Sequence, residues 1–139
     1  MAKLTNKRLV LPDAGRHLCT LSSVQEVENK FYIAGKDSDD KKQRLEWTFV
    51  YDDRPEMQIK RWSSFNLSAY KGKKSTALEL TEALLGKVLT VEEREKANDT
   101  DELIGKKCFL TVKHEKNEAG EITTKIIDVE PATEEEVSL

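Results

Sequence analysis

Apolar and polar residues alternate along two neighbouring stretches near the middle of the chain, residues 45–51 and 57–62. The segment between them, D-D-R-P-E at residues 52–56, is rich in residues that favour turns. Two alternating stretches joined by a short turn predict a β-hairpin. Because successive side chains of a strand point to opposite faces, Lys60 and Trp62 are expected on the solvent side of the second strand.

The two tryptophans of this hairpin differ in phase. Trp47 follows the apolar alternation of the first strand, which is typical of a core residue, and exposure for base stacking is the alternative. Trp62 opposes the phase of Met57 and Ile59 and shares that of Lys60, which favours a solvent-side ring on which a nucleobase could stack. The alternatives for Trp62 are a lid over the rim of the fold and a contact with a helix.

Three further stretches have the composition and alternation of strands, at residues 16–27, 108–113 and 122–129. A change of phase near residues 22–23 predicts a β-bulge in the first of them. Pro131 is expected to end the last one, because proline cannot donate a hydrogen bond to a ladder.

Two segments carry helix signals. Thr76 and Glu79 form a capping-box pattern at the start of a predicted helix over residues 77–85, and Gly86 is its expected end. The segment T-V-E-E at residues 90–93 repeats the capping pattern. It predicts a short acidic helix that reaches residue 97.

The predicted order is three strands, a helix and two strands, with the short acidic helix after the first helix. This β-β-β-α-β-β order, with a helix between strands 3 and 4, predicts a mainly β protein and matches the five-stranded OB-fold barrel. An SH3-like barrel would lack that helix. The expected organisation is a basic N-terminal arm over residues 1–14, an OB-fold domain over residues 15–131 and an acidic tail over residues 132–139.

The chain has 139 residues, of which 35% are charged and 37% are apolar, and this composition fits one well-solvated globular domain. No apolar run approaches the roughly 18 residues of a membrane span. The N-terminus lacks the apolar core of about 7 to 15 residues that signal peptides contain, so a cytoplasmic protein is expected. Cys19 and Cys108 stand apart without a C-x-x-C motif, which predicts buried thiols and neither a disulfide framework nor a zinc site.

A net charge of −3 argues mildly against nucleic-acid binding, but the distribution of charge matters more. Residues 60–74 contain five cations and no acid, whereas acids collect in residues 92–102 and 130–136. This segregation predicts a basic patch on an acidic body. Because cations are unfavourable beside a helix N-terminus, the lysines before the first helix make more sense if an anion binds there. An ordinary solvated loop is the alternative.

Rings and cations near one another suit a single-stranded nucleic acid, because every base offers a π-face and every nucleotide a phosphate. Phe65 and Tyr70 flank the basic loop and could stack on bases, or could anchor that loop to the fold. Arg44 ends the loop before the predicted hairpin, and in an OB-fold that loop borders the ligand groove. The candidate nucleic-acid-binding residues are Arg44, Trp47, Lys60, Arg61, Trp62, Phe65, Tyr70, Lys71, Lys73 and Lys74.

Six segments, in their order and local sequence over residues 15–132, resemble the small single-stranded-DNA-binding-like proteins encoded by tailed bacteriophages. They are L-E-W-T-F, W-S-S-F-N-L, K-G-K-K-S, A-L-E-L-T-E-A-L-L-G-K, D-E-L-I-G-K-K-C-F-L-T-V-K-H and I-I-D-V-E-P-A. The resemblance implies an OB-fold that serves phage DNA replication or recombination in the host cytoplasm. It also implies an acidic tail that could recruit partner proteins. Bacterial tails of that type end in an aromatic residue, whereas this chain ends V-S-L.

The leading hypothesis is therefore sequence-independent binding of single-stranded DNA. The alternative is an OB-fold module that docks replication or recombination proteins without strong DNA binding, which the net acidity favours. An oligosaccharide-binding barrel would have exposed aromatic residues without the lysine cluster. His17 and His114 are isolated, and no Ser-His-Asp arrangement or glycine-rich phosphate loop is present, so no enzyme, cofactor or metal is expected.

Overall fold

The computed structural model describes residues 11–30, 32–36, 42–95 and 100–132. Its elements in chain order are β1 (Gly15–Glu28), β2 (Gln43–Tyr51), β3 (Arg54–Ser63), β4 (Ala69–Tyr70), β5 (Lys73–Lys74), α1 (Thr76–Leu85), α2 (Val91–Glu95), a 3₁₀ turn (Thr100–Glu102), β6 (Lys107–Lys116) and β7 (Ile122–Pro131). The predicted mainly β protein, with a hairpin before the helix and a hairpin after it, is confirmed.

The five long strands form one antiparallel sheet in the order β3-β2-β1-β6-β7. Strand β1 lies at its centre, and its first half pairs with β6 while most of its length pairs with β2. Strands β3 and β7 are the edges, and no ladder joins them in the described part of the chain. The sheet is therefore open, and the closed barrel that we expected is not confirmed.

A β-bulge in β1 lies at the position where the sequence changes phase. The register with β2 shifts between Leu21 and Ser23. The backbone of Leu21 is also bound by the segment before β6, since its N–H donates to the carbonyl of Lys106 at 3.0 Å and its carbonyl accepts from Gly105 N–H at 2.8 Å. The extra residue returns Val24 to the core side, where it packs against the buried cluster.

The core lies on one face of the sheet and is covered by α1. Trp47, Phe49, Tyr51 and Leu110 are fully buried there, together with Leu80 of the helix. Helix α1 contacts β7, β6 and β3, so it packs between the two edges of the open sheet. Within the described ranges, neither helix has the length and apolar character needed to cross a membrane.

The N-cap of α1 is Ser75, one residue earlier than predicted. Its hydroxyl accepts the N–H of Leu78 at 3.2 Å, and its own backbone is extended. Glu79, the expected partner of the capping box, instead lies 3.9 Å from the Arg61 guanidinium. The predicted end is confirmed, because Gly86 adopts the left-handed conformation at φ 71° and donates its N–H to Glu82.

The capping box of α2 is confirmed. Thr90 Oγ1 accepts the N–H of Glu93 at 3.1 Å, and the Glu93 carboxylate accepts the N–H of Thr90 at 3.1 Å. A hydrogen bond from Lys87 and this backbone bond lower the pKa of Glu93 to about 2. Helix α2 is described as far as Glu95, and the predicted end at residue 97 lies outside the described residues.

Two strand predictions are corrected. The connection after β3, which we expected to be irregular, contains the small β4–β5 hairpin, in which Ala69 pairs with Lys74 and Tyr70 pairs with Lys73. Its turn consists of Lys71 at φ 51° and Gly72 at φ 80°, the combination that a tight hairpin turn requires. Strand β7 runs to Pro131 instead of stopping before it, since this is an edge strand, where proline is tolerated.

Residues 11–14, which we assigned to the N-terminal arm, are hydrogen-bonded to the sheet. The carbonyl of Pro12 accepts from His114 Nε2 at 2.7 Å, and that of Asp13 accepts from the Tyr51 hydroxyl at 2.8 Å. The Asp13 carboxylate also pairs with Arg54 at 2.8 Å. Residues 1–10 lie outside the described residues, so the proposed arm is not described beyond this attachment.

Cys19 and Cys108 lie directly opposite each other in the β1–β6 ladder. Both are free thiols and fully buried. Burial raises the pKa of Cys19 to about 12 and also raises the pKa of Cys108. The expectation of buried, structural thiols is confirmed.

Candidate nucleic-acid interface

The β2–β3 ladder separates the two tryptophans as the alternation predicted. Trp62 pairs with Glu46 on the face opposite the core, which we call the outer face, and its side chain is 41% exposed. Trp47 is 1% exposed on the core face, where its indole N–H donates to the Ser63 hydroxyl at 2.8 Å. Trp47 is therefore corrected from a candidate stacking residue to a core residue.

Trp62 is surrounded by two cations and one carboxylate. The Arg44 guanidinium carbon lies over the indole ring, 5.2 Å from its centroid. The Glu46 carboxylate accepts the indole N–H at 3.1 Å through one oxygen and pairs with Lys60 Nζ at 3.0 Å through the other. The hydrogen bond from Lys60 is the largest of the contacts that lower the pKa of Glu46. The site therefore combines an accessible ring with two cations, one of which is held by an internal anion.

Arg61 does not belong to this site. It shares the phase of Met57 and Ile59, which are buried, and its guanidinium lies 3.9 Å from Glu79 of α1. Lys60 and Trp62 project to the other face because side chains alternate along a strand. Neighbours in the sequence of a strand therefore project to opposite faces, so the candidate residue Arg61 lies on the core side and not beside Trp62.

Lys74 is also occupied within the fold. Its ammonium pairs with the carboxylate of Glu82, a residue only 8% exposed. The other oxygen of that carboxylate accepts the backbone N–H of Leu89 at 2.7 Å. Lys74 thus compensates a nearly buried charge that binds the segment after α1, and this structural role replaces the predicted phosphate contact.

The remaining members of the predicted basic loop lie on the β4–β5 hairpin. Lys71 and Lys73 are exposed there, at the turn and in β5. Tyr70 lies in β4, and its side chain falls outside the described part of the structure. These residues stay candidates, with Lys71 and Lys73 as the accessible cations of the hairpin.

Phe65 lies at a groove on the core side of the sheet and is 44% exposed. The groove has a volume of about 690 Å³ and is bounded by β1, β2, α1, α2 and the segment after β3. The described residues that line it are Val24, Glu26, Leu45, Trp47, Phe65, Asn66, Leu67, Ser68, Ala77, Thr81, Arg94, Thr100 and Leu103. Apart from Trp47 and Phe65, none of them was a candidate from the sequence.

A second pair of ring and cation lies on the outer face and was missed. Phe109 lies between the buried residues Cys108 and Leu110 of β6, so its ring projects outward. The Arg16 guanidinium carbon is 3.7 Å from the centroid of that ring, and Arg16 also pairs with Glu130 at 3.4 Å. The period-2 alternation that predicts Trp62 on the outer face also predicts Phe109 there.

Several cations of the outer face are paired within the protein. Lys60 and Arg16 each have a carboxylate partner, and the same holds for Lys107, which contacts Asp52 and the hydroxyl of Thr20. The basic patch predicted from the sequence therefore exists only in part. To bind a strand, these cations must exchange their carboxylate partners within the protein for phosphate groups.

Comparison of the sequence with protein-family models and with curated proteins gave no match. The function is therefore inferred from Trp62 and the charges around it.

Proposed function

We propose that this protein binds single-stranded DNA without sequence preference, through the outer face of β2 and β3. The observation that carries the proposal is the half-exposed Trp62 ring with Arg44 and Lys60 beside it. A base stacked on an aromatic ring with adjacent cations for its phosphate is the usual arrangement of such proteins. Because stacking uses the π-face that all bases share, this arrangement does not select a sequence.

We propose that the open sheet is that of an OB-fold. Two observations support this: the ladder order β3-β2-β1-β6-β7, and the position of α1 between the third and fourth long strands. OB-folds are often partly open, and they bind oligonucleotides on the face of their second and third strands. In this chain that face carries Trp62.

In the proposed mechanism, Glu46 occupies the polar groups of the site until a strand of DNA binds. Its carboxylate orients the indole and neutralises Lys60 in the free protein. A phosphate of the strand then replaces Glu46 as the partner of Lys60. The base stacks on Trp62, and Arg44 binds a neighbouring phosphate. Lys60 is exposed and Glu46 is partly exposed, so loss of the ion pair costs little free energy and the exchange is feasible.

The experiment is an anisotropy titration of a labelled oligo-dT at low and moderate salt. Binding should weaken with salt by a slope of about 0.7 per neutralised phosphate. Trp62→Ala should lower the affinity by roughly 5-fold to over 100-fold, because a stacked base contributes about 1 to 3 kcal/mol. Trp62→Phe keeps a ring and should lose less. No binding at low salt, or equal affinities for wild type and Trp62→Ala, would contradict the proposal.

The sequence resemblance suggests a biological setting for this activity. We propose a role in phage DNA replication or recombination in the host cytoplasm, with replication or recombination proteins as partners of the acidic tail. Of the predicted tail, residues 132–139, all but Ala132 lie outside the described residues. Deletion of those residues would test whether a candidate partner protein still binds.

A second candidate function is a protein-interaction module on the same fold. It is favoured by the ion pairs of the outer face, where Lys60, Arg16 and Lys107 each contact a carboxylate. Such a module would leave oligo-dT unbound at low salt. The titration described above therefore separates the two functions.

A further inference from the structure

The half-buried side chain of Arg94 lines the groove on the core side. Its Nε atom is buried and has no hydrogen-bond partner among the described residues. Glu26 also lines the groove, yet no ion pair joins these two residues, both of which the structure describes. An unpaired buried N–H lowers stability, and an anion bound to this guanidinium would supply the missing acceptor.

The other walls of the groove suit an aromatic heterocycle. The half-exposed Phe65 ring offers a stacking surface, and Leu45 and Leu103 provide apolar contacts. Among them lie the amide of Asn66 and the hydroxyl of Ser68, which can meet the hydrogen-bonding edge of a base. A volume of about 690 Å³ is within the range of small-ligand sites and exceeds the needs of one base.

The groove and the proposed DNA surface lie on opposite faces of the sheet and approach each other at one end of the β2–β3 hairpin. In the β2–β3 ladder, Leu45 pairs with Ser63 and Glu46 pairs with Trp62, so the groove begins one residue away from the Trp62 site. A strand that crosses Trp62 could turn over this end of the hairpin. A base further along the strand would then reach the segment that carries Phe65.

We propose that this groove binds one nucleotide, with its base against Phe65 and its phosphate on Arg94. The identity of the ligand rests on the proposed function, and the same chemistry could come from a DNA strand or from a free nucleotide. Guanidinium is suited to the role because it binds phosphate through two parallel hydrogen bonds.

The test uses Trp47 as a reporter. The chain has two tryptophans, so Trp62→Phe leaves Trp47, which lines the groove, as the single fluorophore. Thymidine monophosphate should change its emission saturably, and thymidine should bind about tenfold more weakly because it lacks the charge-assisted bond to Arg94. Added to Trp62→Phe, Arg94→Ala should abolish that difference, whereas Phe65→Ala should weaken both ligands equally.

The controls address folding and general electrostatics. Lys113→Ala removes an exposed cation that lies outside the groove and should leave the tenfold ratio unchanged. Arg94→Gln retains the stem of the side chain and should behave like Arg94→Ala if the charge is what matters. No saturable change with thymidine monophosphate, or an unchanged ratio in both Arg94 variants, would overturn the proposal.

Oligo-dT binding by the wild-type chain separates the two hypotheses. If oligo-dT binds but the Arg94 variants keep the tenfold ratio, the groove proposal is wrong and the Trp62 site stands. If the ratio is lost in the Arg94 variants but oligo-dT does not bind, the groove takes a free nucleotide and the single-strand function is wrong. A response of Trp47 only to an acetylated acidic peptide would overturn the nucleotide proposal in favour of a protein partner.

Discussion

The two tryptophans of the β2–β3 hairpin place the same donor atom in two different surroundings. On the core face, the indole N–H of Trp47 donates to the neutral hydroxyl of Ser63. On the outer face, that of Trp62 donates to the carboxylate of Glu46, which is also paired with Lys60. A neutral partner satisfies a buried donor without burying a charge, whereas a charged partner needs water or a counter-ion, as Glu82 has in Lys74. The core contact is therefore fixed, and the outer one can be exchanged.

The largest effect that tests this contrast is on folding. Trp47→Ala should lower the free energy of unfolding by about 3 to 5 kcal/mol, because it leaves a large cavity in the core. Trp62→Ala should change it by no more than about 0.5 kcal/mol, as for other surface substitutions. Urea denaturation of both variants measures the difference. Equal losses would show that the outer ring is also part of the packing.

A second contrast compares two lysine–carboxylate pairs. Glu82→Ala should cost about 1 to 3 kcal/mol, because it leaves the buried N–H of Leu89 without an acceptor and Lys74 without its partner. Glu82→Gln keeps an acceptor and should cost less. Thermal unfolding of the two variants checks this order. Unchanged stability in Glu82→Ala would restore Lys74 as a candidate for phosphate contact.

The smallest effect concerns Glu46. Glu46→Gln should raise the affinity for oligo-dT by about two- to fivefold at low salt, since an exposed ion pair contributes only about 0.2 to 1 kcal/mol. The pKa of Glu46 is lowered in the folded protein, so its ion pair is present above the ordinary glutamate range and is lost as the pH falls through the folded value. The advantage of the variant should therefore disappear in acid. Weaker binding by Glu46→Gln at neutral pH would mean that the carboxylate mainly positions Trp62.

Local patterns in the sequence were enough to predict much of the sheet. Period-2 alternation placed Trp47 and Trp62 on opposite faces, and the phase change at residues 22–23 marked the bulge. The capping box of Thr90 and Glu93 was predictable because both partners lie within one turn of helix. Each of these features depends on residues close together in the chain.

The features that were wrong or missed depend on distant residues. The partner of Lys74 is Glu82, across the start of α1, and the partner of Lys60 is Glu46 on the neighbouring strand. The cations of residues 60–74, a stretch without acids, therefore pair with carboxylates on other elements. The β4–β5 hairpin has only two residues in each strand, too few to show a period. The groove joins segments from β1 to the 3₁₀ turn, so no single stretch of sequence reveals it.

The two buried cysteines make the protein convenient for chemical labelling. Thiol-directed dyes react with the thiolate, and because burial raises the pKa of Cys19 to about 12, this thiol stays protonated at neutral pH. Cys108 is equally buried and its pKa is raised as well. A maleimide should therefore attach to a single cysteine introduced at the exposed Ser64, between the Trp62 ring and the groove, while both native cysteines remain in place.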